Sequence, residues 1–368
     1  MSKVSKYVGL DVHKDSISIA VAEEGRSEAR FLKRIPNNGS RLLRVLRTVG
    51  SLEELHCAYE AGPTGYGLYR LLGSKGVRCD VVAPSEIPSR KGRHVKTDRI
   101  DACGLAHFLR SGDLVPIRVP GEEVEAMRDL VRARADAKNA EKTAKQRLGK
   151  FLLRHDRRYP GRTNWTKMHL DWIRGQEFDH EAQEHVLREY LHAVERGGQQ
   201  VELLGDTLAR LVETSELAPL VKALQAMRGI QLLTAASLAF ELIDLKRFVS
   251  APKLMWYLGL VPSEDSSGGR RKQGSITKAG NGAIRRLLTE AAWNNRHKPK
   301  VTAHLRKRQE GVSAEVQDIA WKAQERLHHR YRSLLAKGKT HQCVITALAR
   351  ELAGFIWAVG QQERLLAA

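Results

Sequence analysis

Four acidic side chains stand in sequence contexts where carboxylates could hold a metal ion. Asp11 lies inside the apolar run YVGLDV, and Glu60 ends a second apolar run, LHCAYE. Asp98 and Asp101 stand three residues apart in KTDRIDA, directly after the basic stretch SRKGRHVK at 89–96. Mg²⁺ prefers oxygen ligands, and two such ions about 4 Å apart can activate a nucleophile and stabilise the leaving oxygen in phosphoryl transfer. The pattern therefore indicates metal-assisted chemistry on phosphates.

Ordinary structural roles are also open for these acids. Glu60 could pair with a lysine, Asp98 could cap a helix, and Asp101 could interact with the helix dipole. A structural role is harder to assign to Asp11, because aspartate is depleted in strands and two aliphatic residues flank it.

Strands and helices alternate through the part of the chain that must position the acids. Alternating or continuous apolar runs predict strands at 7–12, 16–22, 29–35, 55–61 and 77–84, and the intervening patterns predict helices at 40–50, 66–76 and 98–112. On a helix, positions i and i+3 are only ~60° apart, so Asp98 and Asp101 can face one way. The alternation predicts an α/β domain over residues 1–120.

The remainder of the chain has helical patterns. Residues 121–215 contain two long polar helices, which favour a coiled coil or helical hairpin, and residues 216–368 are mainly α-helical. In the last part, the turn RGIQ at 228–231 lies between two apolar helices, and both a phosphate-binding helix-hairpin-helix and a plain helical hairpin fit it. We expect three domains, at 1–120, 121–215 and 216–368.

Composition limits the class of partner. The 368 residues include 62 Lys+Arg against 42 Asp+Glu, a formal net charge of +20. Such an excess predicts a polyanionic partner, most commonly nucleic acid. We see no apolar run of about 18 residues and no cleavable leader, which predicts that no segment spans a membrane. The four cysteines lack CxxC spacing, so we expect a cytoplasmic protein with reduced cysteines and no zinc knuckle.

Two basic segments accompany the candidate chemistry. One is 89–96, and the other is GRRKQGSITKAGNGAIRR at 269–286, which follows a polar Ser/Gly loop. Arginine and lysine there could hold phosphates, since the guanidinium fork fits phosphate geometry, although a solvated charged surface is the alternative. The candidate nucleic-acid-binding residues are Arg93, Lys96, Arg270, Arg271, Lys272, Lys278, Asn281, Arg285 and Arg286.

A family resemblance joins these motifs. GLDVHK, YEAGPTGYGLYR, KTDRIDA and, much later, YLGLVPSEDSSGGRRKQGSITKAGNGAIRRLL resemble the DEDD transposases of bacterial insertion sequences, which are guided by a bridge (or seeker) RNA. The resemblance covers nearly the whole chain and implies an RNase H-like (RuvC-like) α/β domain, a coiled-coil middle and a mainly α-helical transposase domain. It implies that Asp11, Glu60, Asp98 and Asp101 hold Mg²⁺.

The resemblance also implies a serine nucleophile, which precedes a glycine shortly after a GL-x-P segment. Here that segment is 259–262, and the serine is Ser267, with Ser266 as the adjacent alternative. The serine of one subunit would meet the acids of another, attack a DNA phosphate and form a covalent link. The implied partners are donor DNA, target DNA, the guide RNA and further copies of the chain, as a dimer that assembles into a tetramer. Without the resemblance, the local sequence predicts only that Ser267 lies in a solvated Ser/Gly loop.

Two other functions fit the sequence. A metal-dependent RuvC-like nuclease or Holliday-junction resolvase would use water in place of Ser267. A non-catalytic nucleic-acid-binding protein would use the acids structurally. An activity that depends on a divalent metal would exclude the non-catalytic binding protein. A covalent protein–DNA adduct would distinguish the transposase from the nuclease.

Overall fold

The chain divides into two compact units, which meet in sequence at Val119 and Pro120. The structure is a computed structural model, and it describes residues 4–88, 97–265 and 272–362. Unit 1 ends at Val119 and unit 2 begins at Pro120, and each has its own hydrophobic core. A further division of the second unit at residue 215 stays a prediction.

Unit 1 is built on a sheet which, among the described residues, has five strands in the order β3-β2-β1-β4-β5. The strands are β1 (Lys6–Val12), β2 (Ser16–Glu23), β3 (Arg30–Pro36), β4 (Leu55–Glu60) and β5 (Arg78–Val82). β1, β2 and β3 are antiparallel neighbours, whereas β1, β4 and β5 run parallel. The carboxyl ends of β1, β4 and β5 therefore meet at one edge of the sheet.

Helices cover both faces of this sheet. They are α1 (Gly39–Val49), α2 (Gly67–Ser74) and α3 (Asp98–Ser111). Side chains alternate along β1, so that Val8 and Leu10 join the core that α1 contributes to, while Tyr7 packs near the alanines of α3. The strands and helices predicted for this part of the chain are confirmed, and so is its mixed α/β class.

Gly9 allows α3 to lie directly on β1. A Cβ at this position would lie 2.1 Å from the carbonyl oxygen of Ala102 and 2.5 Å from the backbone nitrogen of Ala106. Alanines of β2 and α3 complete a contact made of small side chains. Because Ala102 follows Asp101 directly, this contact fixes the first turn of α3 relative to the end of β1.

Unit 2 is mainly helical, as predicted. Its elements are α4 (Glu122–Arg154), α5 (Lys167–Arg174), α6 (Glu181–Val212), α7 (Ala218–Gln225), α8 (Leu232–Leu242), α9 (Ala251–Tyr257), the strands β6 (Pro262–Glu264) and β7 (Gln273–Ile276), α10 (Gly282–Ala292), α11 (Ala303–Gln309), α12 (Ala314–Ala336) and α13 (His341–Gly360). The two long helices α4 and α6 pack against each other. Where the two helices meet α5 they form a small separate core around Phe151 and Ile173, whereas Val131 and Leu208 join the main core of the unit.

The helix α13 is long and apolar enough to cross a membrane by length and composition, with a mean hydropathy of 1.5 in its best window. The sequence did not predict this, because Arg350 and Glu351 interrupt the apolar run. Half of that window is buried inside the unit, where Leu348 and Leu352 belong to the main core. Glu351 accepts a 3.0 Å hydrogen bond from Arg326 of α12. Burial in the core accounts for the apolar composition of α13.

Replacing Gly9 by alanine should destabilise unit 1 by about 1–3 kcal/mol or more, the usual cost of overpacking, because the atoms in the way belong to the α3 backbone. Urea denaturation followed by circular dichroism measures the loss. Gly73→Ala is the matched control in the same unit, since no atom lies within 4 Å of its added Cβ. Alanine is better than glycine in a helix by about 0.5–1 kcal/mol, so this variant should be as stable as the wild type or more so. An unchanged midpoint for Gly9→Ala would contradict the close contact.

Candidate active site

Asp11 lies at the carboxyl end of β1 on the face that α3 covers, and its side chain is 14% exposed. In the ladder register Asp11 pairs with Ser18 of β2, and Ser18 pairs with Arg34 of β3. Glu60 ends β4 and extends this row on the other side, because β1 and β4 pair in parallel with the preceding residues in register. The backbone register therefore places Asp11 and Glu60 on neighbouring strands at one edge of the sheet. Among the described residues, neither Glu60 nor Asp101 belongs to the group of candidate ligand atoms that lie within 4.8 Å of one another.

Asp98 and Asp101 occupy the first turn of α3. The N-cap is Thr97, whose hydroxyl accepts a hydrogen bond from the backbone nitrogen of Ile100 at 3.3 Å. Asp98 is therefore not the cap, and the capping role that its sequence left open belongs to its neighbour. The carboxylate of Asp98 instead lies near the end of β1, where His13 contacts it.

His13 lies between two of the acids, and the sequence patterns did not predict it. Its Nε2 is 3.2 Å from Oδ2 of Asp11 and 3.6 Å from Oδ1 of Asp98. One ligand atom from each of these three residues lies within 4.8 Å of the other two. The spacing could have found it, since His13 follows Asp11 by two positions and alternate residues of an extended chain point to the same face.

The surroundings of Asp11 disfavour the charged form of its carboxylate. Burial raises the pKa of Asp11 above its ordinary value, Asp98 and Asp101 raise it further, and His13 opposes the shift. Arg34 of β3 also approaches the site, with Nη2 3.6 Å from Oδ2 of Asp98. A divalent cation bound between the carboxylates would remove their repulsion and favour their charged forms.

The serine segment is flanked in unit 2 by a short hairpin. β6 and β7 are antiparallel, and the backbone nitrogen of Asp265 donates to the carbonyl of Lys272 at 2.9 Å. Several predicted site residues lie outside the described residues, namely Ser266, Ser267, Arg270 and Arg271 between these strands, and Arg93 and Lys96 in unit 1.

The base of the hairpin is held by close backbone contacts. A Cβ at Gly259, whose φ is +61°, would lie 2.3 Å from the backbone nitrogen of Ala279. Arg285 donates from Nη1 to the carbonyls of Leu258, Ala279 and Gly280. Burial lowers the pKa of this guanidinium. Arg285 therefore stabilises the two chain segments from which the hairpin emerges.

Glu241 of α8 connects α4 with the start of α10. Its carboxylate accepts hydrogen bonds from Arg132 at 2.7 and 3.0 Å and from the amide of Asn281 at 3.1 Å. The side-chain oxygen of Asn281 also caps α10. Any nucleic-acid contacts of Asn281 and Arg285 would compete with these internal hydrogen bonds. Of the predicted binding residues that the structure describes, Lys272, Lys278 and Arg286 are exposed.

The turn at 228–231 packs against its own unit. A Cβ at Gly229 would lie 2.4 Å from the carbonyl oxygen of Ala291, the penultimate residue of α10, and Arg308 of α11 donates to the carbonyl of Ile230. These contacts place the turn against protein, which favours the plain helical hairpin over the phosphate-binding one.

Asp11→Asn should raise the melting temperature of the metal-free protein at neutral pH by a few degrees, because the amide keeps the shape of the side chain without its disfavoured charge. Differential scanning fluorimetry in EDTA measures this. Added divalent metal should then stabilise the wild type but not the variant.

The gain in melting temperature of Asp11→Asn over the wild type should become smaller at low pH. Folded Asp11 binds its proton more tightly than the unfolded chain does, so its contribution to stability is complete below the ordinary pKa of 3.8 and is lost as pH rises through the raised pKa. The advantage of the asparagine should therefore shrink as the pH is lowered toward 3.8. Asp15→Asn, at an exposed turn position, is the control and should show no such gain. Equal stability of wild type and Asp11→Asn at neutral pH would contradict the prediction.

Lys278 should contribute its positive charge to DNA binding, and its backbone conformation should cost some folding stability. It is exposed and has a left-handed φ of 58°, a conformation that costs an L-residue about 1–2 kcal/mol. Lys278→Gly and Lys278→Ala should weaken DNA binding equally, each lowering the slope of log affinity against log salt by about 1, while only the glycine variant relieves the strain. Fluorescence anisotropy at several salt concentrations and urea denaturation measure the two effects. A salt slope that neither variant changes would exclude a phosphate contact.

Comparisons with known proteins match both units. Residues 8–155 match the DEDD transposase domain of IS110-type elements, described as "Transposase", and residues 221–306 match the "Transposase IS116/IS110/IS902 family". The putative transposase y4qE of Sinorhizobium fredii is 46% identical over 360 residues, which cover 97% of this chain and 89% of the relative. The transposase for insertion sequence element IS1533 of Leptospira borgpetersenii is 33% identical over 342 residues, 90% of this chain and 97% of the relative.

These matches cover the residues that carry the candidate chemistry. Asp11, Glu60, Asp98 and Asp101 lie in the first matched region, and the β6–β7 hairpin lies in the second. A DEDD domain with an acidic cluster indicates dependence on a divalent metal. The chain belongs to the IS110 family of transposases, enzymes that act on DNA, and its N-terminal part is a DEDD transposase domain.

Proposed function

We propose that this transposase is an RNA-guided recombinase that joins donor and target DNA through a covalent serine–phosphate intermediate. Asp11, Glu60, Asp98 and Asp101 would hold Mg²⁺, and a bridge RNA would select the DNA by base pairing. The observation that carries the proposal is the convergence of Asp11 and Asp98 at one sheet edge, within a domain of the DEDD family. The active form would be a dimer that assembles into a tetramer, in the bacterial cytoplasm.

The acids fit a hard divalent cation. The carboxylates of Asp11 and Asp98 lie near each other, Glu60 ends the strand parallel to β1, and the charge on Asp11 is disfavoured unless a cation is near. Mg²⁺ bound there would supply Lewis acidity to a phosphate oxygen and lower the pKa of an attacking hydroxyl. An acid on the first strand, one at the end of its parallel neighbour and two on a following helix also support an RNase H-like fold for unit 1. The pairing of α4 with α6 supports the predicted coiled coil.

Ser267 would act as the nucleophile. Its Oγ would form a bond to phosphorus while one P–O bond of the DNA backbone breaks. The serine would lose its proton, and the sugar oxygen that leaves would take up a proton to become a free DNA hydroxyl. The phosphoserine keeps the energy of the broken bond, so attack by another DNA hydroxyl can rejoin the strands without ATP. Exposed Lys272, Lys278 and Arg286 lie close to this segment in sequence and would bind the neighbouring phosphates.

A trapping assay tests this function. The purified protein, its co-purifying RNA, matching donor and target DNA and Mg²⁺ would be mixed, denatured and separated on a gel. A covalent protein–DNA adduct should form with the wild type and with Ser266→Ala, which is the matched control one residue away. Ser267→Ala should form none, and Asp11→Asn should form none in spite of its stable fold.

Other outcomes would support other conclusions. Cleaved DNA without an adduct would favour the nuclease that uses water, and the segment between β6 and β7 would then only bind nucleic acid. An adduct that disappears in Ser266→Ala and persists in Ser267→Ala would move the nucleophile by one residue. An adduct that survives removal of the RNA on unmatched target DNA would contradict RNA guidance while leaving the serine chemistry intact.

A further inference from the structure

We propose that His13 is itself a ligand of the metal ion, so that the acidic site has a nitrogen donor beside its carboxylates. The inference rests on the proposed metal site and deepens it, since it concerns which ions the site prefers. It predicts that this transposase binds Mn²⁺ more tightly than Mg²⁺.

The donor atoms have suitable separations. In an octahedral site with bonds of about 2.1 Å, neighbouring donors are about 3.0 Å apart and opposite donors about 4.2 Å apart. Nε2 of His13 is 3.2 Å from Oδ2 of Asp11 and 3.6 Å from Oδ1 of Asp98. All three donors lie within 4.8 Å of one another. The three atoms are therefore spaced close to the way that three ligands of one ion would be.

The backbone of His13 is held in the turn that joins β1 to β2. Its N–H donates to the carbonyl of Ser16 at 2.8 Å, and its carbonyl accepts from the amide of Asn37 at 2.7 Å. The backbone nitrogen of Asn37 in turn donates to the carbonyl of Asp15 at 3.0 Å. Since the side chain is about half exposed, the imidazole can rotate while its Cα stays in place. Binding of the ion would therefore require a rotation of the His13 side chain and no rearrangement of the turn.

A plain ion pair is the competing explanation, and the chain offers a comparison. His185 of α6 lies 3.6 Å from Glu181, one turn earlier on the same helix, and both side chains are exposed. That pair needs nothing beyond helical spacing. His13 differs because it contacts two carboxylates that come from a strand and from a helix distant in sequence. Those two acids repel each other, and Nε2 of His13 lies at a distance from each carboxylate that suits two ligands of one ion.

An imidazole ligand changes metal preference. Carboxylates suit Mg²⁺ and Mn²⁺ alike, whereas imidazole nitrogen is a softer donor that favours transition metals over Mg²⁺. Mn²⁺ is the informative probe, because it can take six ligands as Mg²⁺ does and has unpaired electrons that report on bound nitrogen. The site would accept either ion but hold Mn²⁺ more tightly.

Pulsed electron paramagnetic resonance of Mn²⁺ added to the full-length protein tests the assignment directly and needs no activity. The spin echo should be modulated by a coordinated ¹⁴N nucleus in the wild type and in His185→Ala, the surface-histidine control. The modulation should disappear in His13→Ala. It should also disappear in Asp11→Asn, which ties the nitrogen signal to this site.

Metal affinity supplies the second measurement. His13→Ala should weaken Mn²⁺ binding by at least about tenfold, the loss typical of removing even an outer partner of a ligand, and should weaken Mg²⁺ binding less. Mn²⁺ that binds through Asp11 without nitrogen modulation would overturn the role of His13 and leave the acidic site standing. A wild-type protein that binds no Mn²⁺ at any of these residues would overturn both.

Discussion

The close contact between β1 and α3 is the constraint on which the candidate active site depends. Gly9 leaves no side chain between the strand and the helix, so the backbone of α3 lies on the sheet at Ala102 and Ala106. Asp11 follows Gly9 by two positions, on the same face of the strand, and Asp101 precedes Ala102 by one. The glycine therefore sets the distance and the register between Asp11 on β1 and the acids in the first turn of α3. A larger residue would move the helix outward and separate Asp98 from Asp11 while leaving each element intact.

The same packing makes the site electrostatically costly. Three acids are brought together at a sheet edge, and burial together with mutual repulsion raises the pKa of Asp11. His13 and Arg34 lower this cost only partly, since the pKa of Asp11 stays above its ordinary value in spite of His13, and Arg34 contacts Asp98 rather than Asp11. A fold selected for stability alone would have no reason to collect these charges. Their collection is explained if a cation binds there, and the cost is then recovered as metal affinity.

Local patterns in the sequence predicted the elements, and tertiary contacts decided what could not be predicted. The strands and helices of unit 1 follow from alternation and periodicity, and Asp11 stood out because aspartate is unusual in a strand. His13 was missed because its two partners come from β1 and from α3, and only the packing of that helix brings them together. Asn281 and Arg285 were selected as nucleic-acid ligands from the basic character of their segment. The structure shows that Glu241 and three backbone carbonyls engage them, which no residue pattern reveals.

Arginine has two uses in unit 2, and composition does not distinguish them. Arg228, Arg285 and Arg308 each donate to backbone carbonyls at points where the chain leaves a helix or enters a turn, and burial lowers the pKa of each guanidinium. They satisfy backbone carbonyls of their own unit, a role that exists whether or not DNA is present. The net charge of +20 therefore overstates what is available to a polyanion. The logarithm of DNA affinity falls with the logarithm of salt concentration by roughly 0.9 for each phosphate that the protein neutralises. A salt titration of DNA binding would therefore count the cations that contact phosphates and leave out these structural arginines.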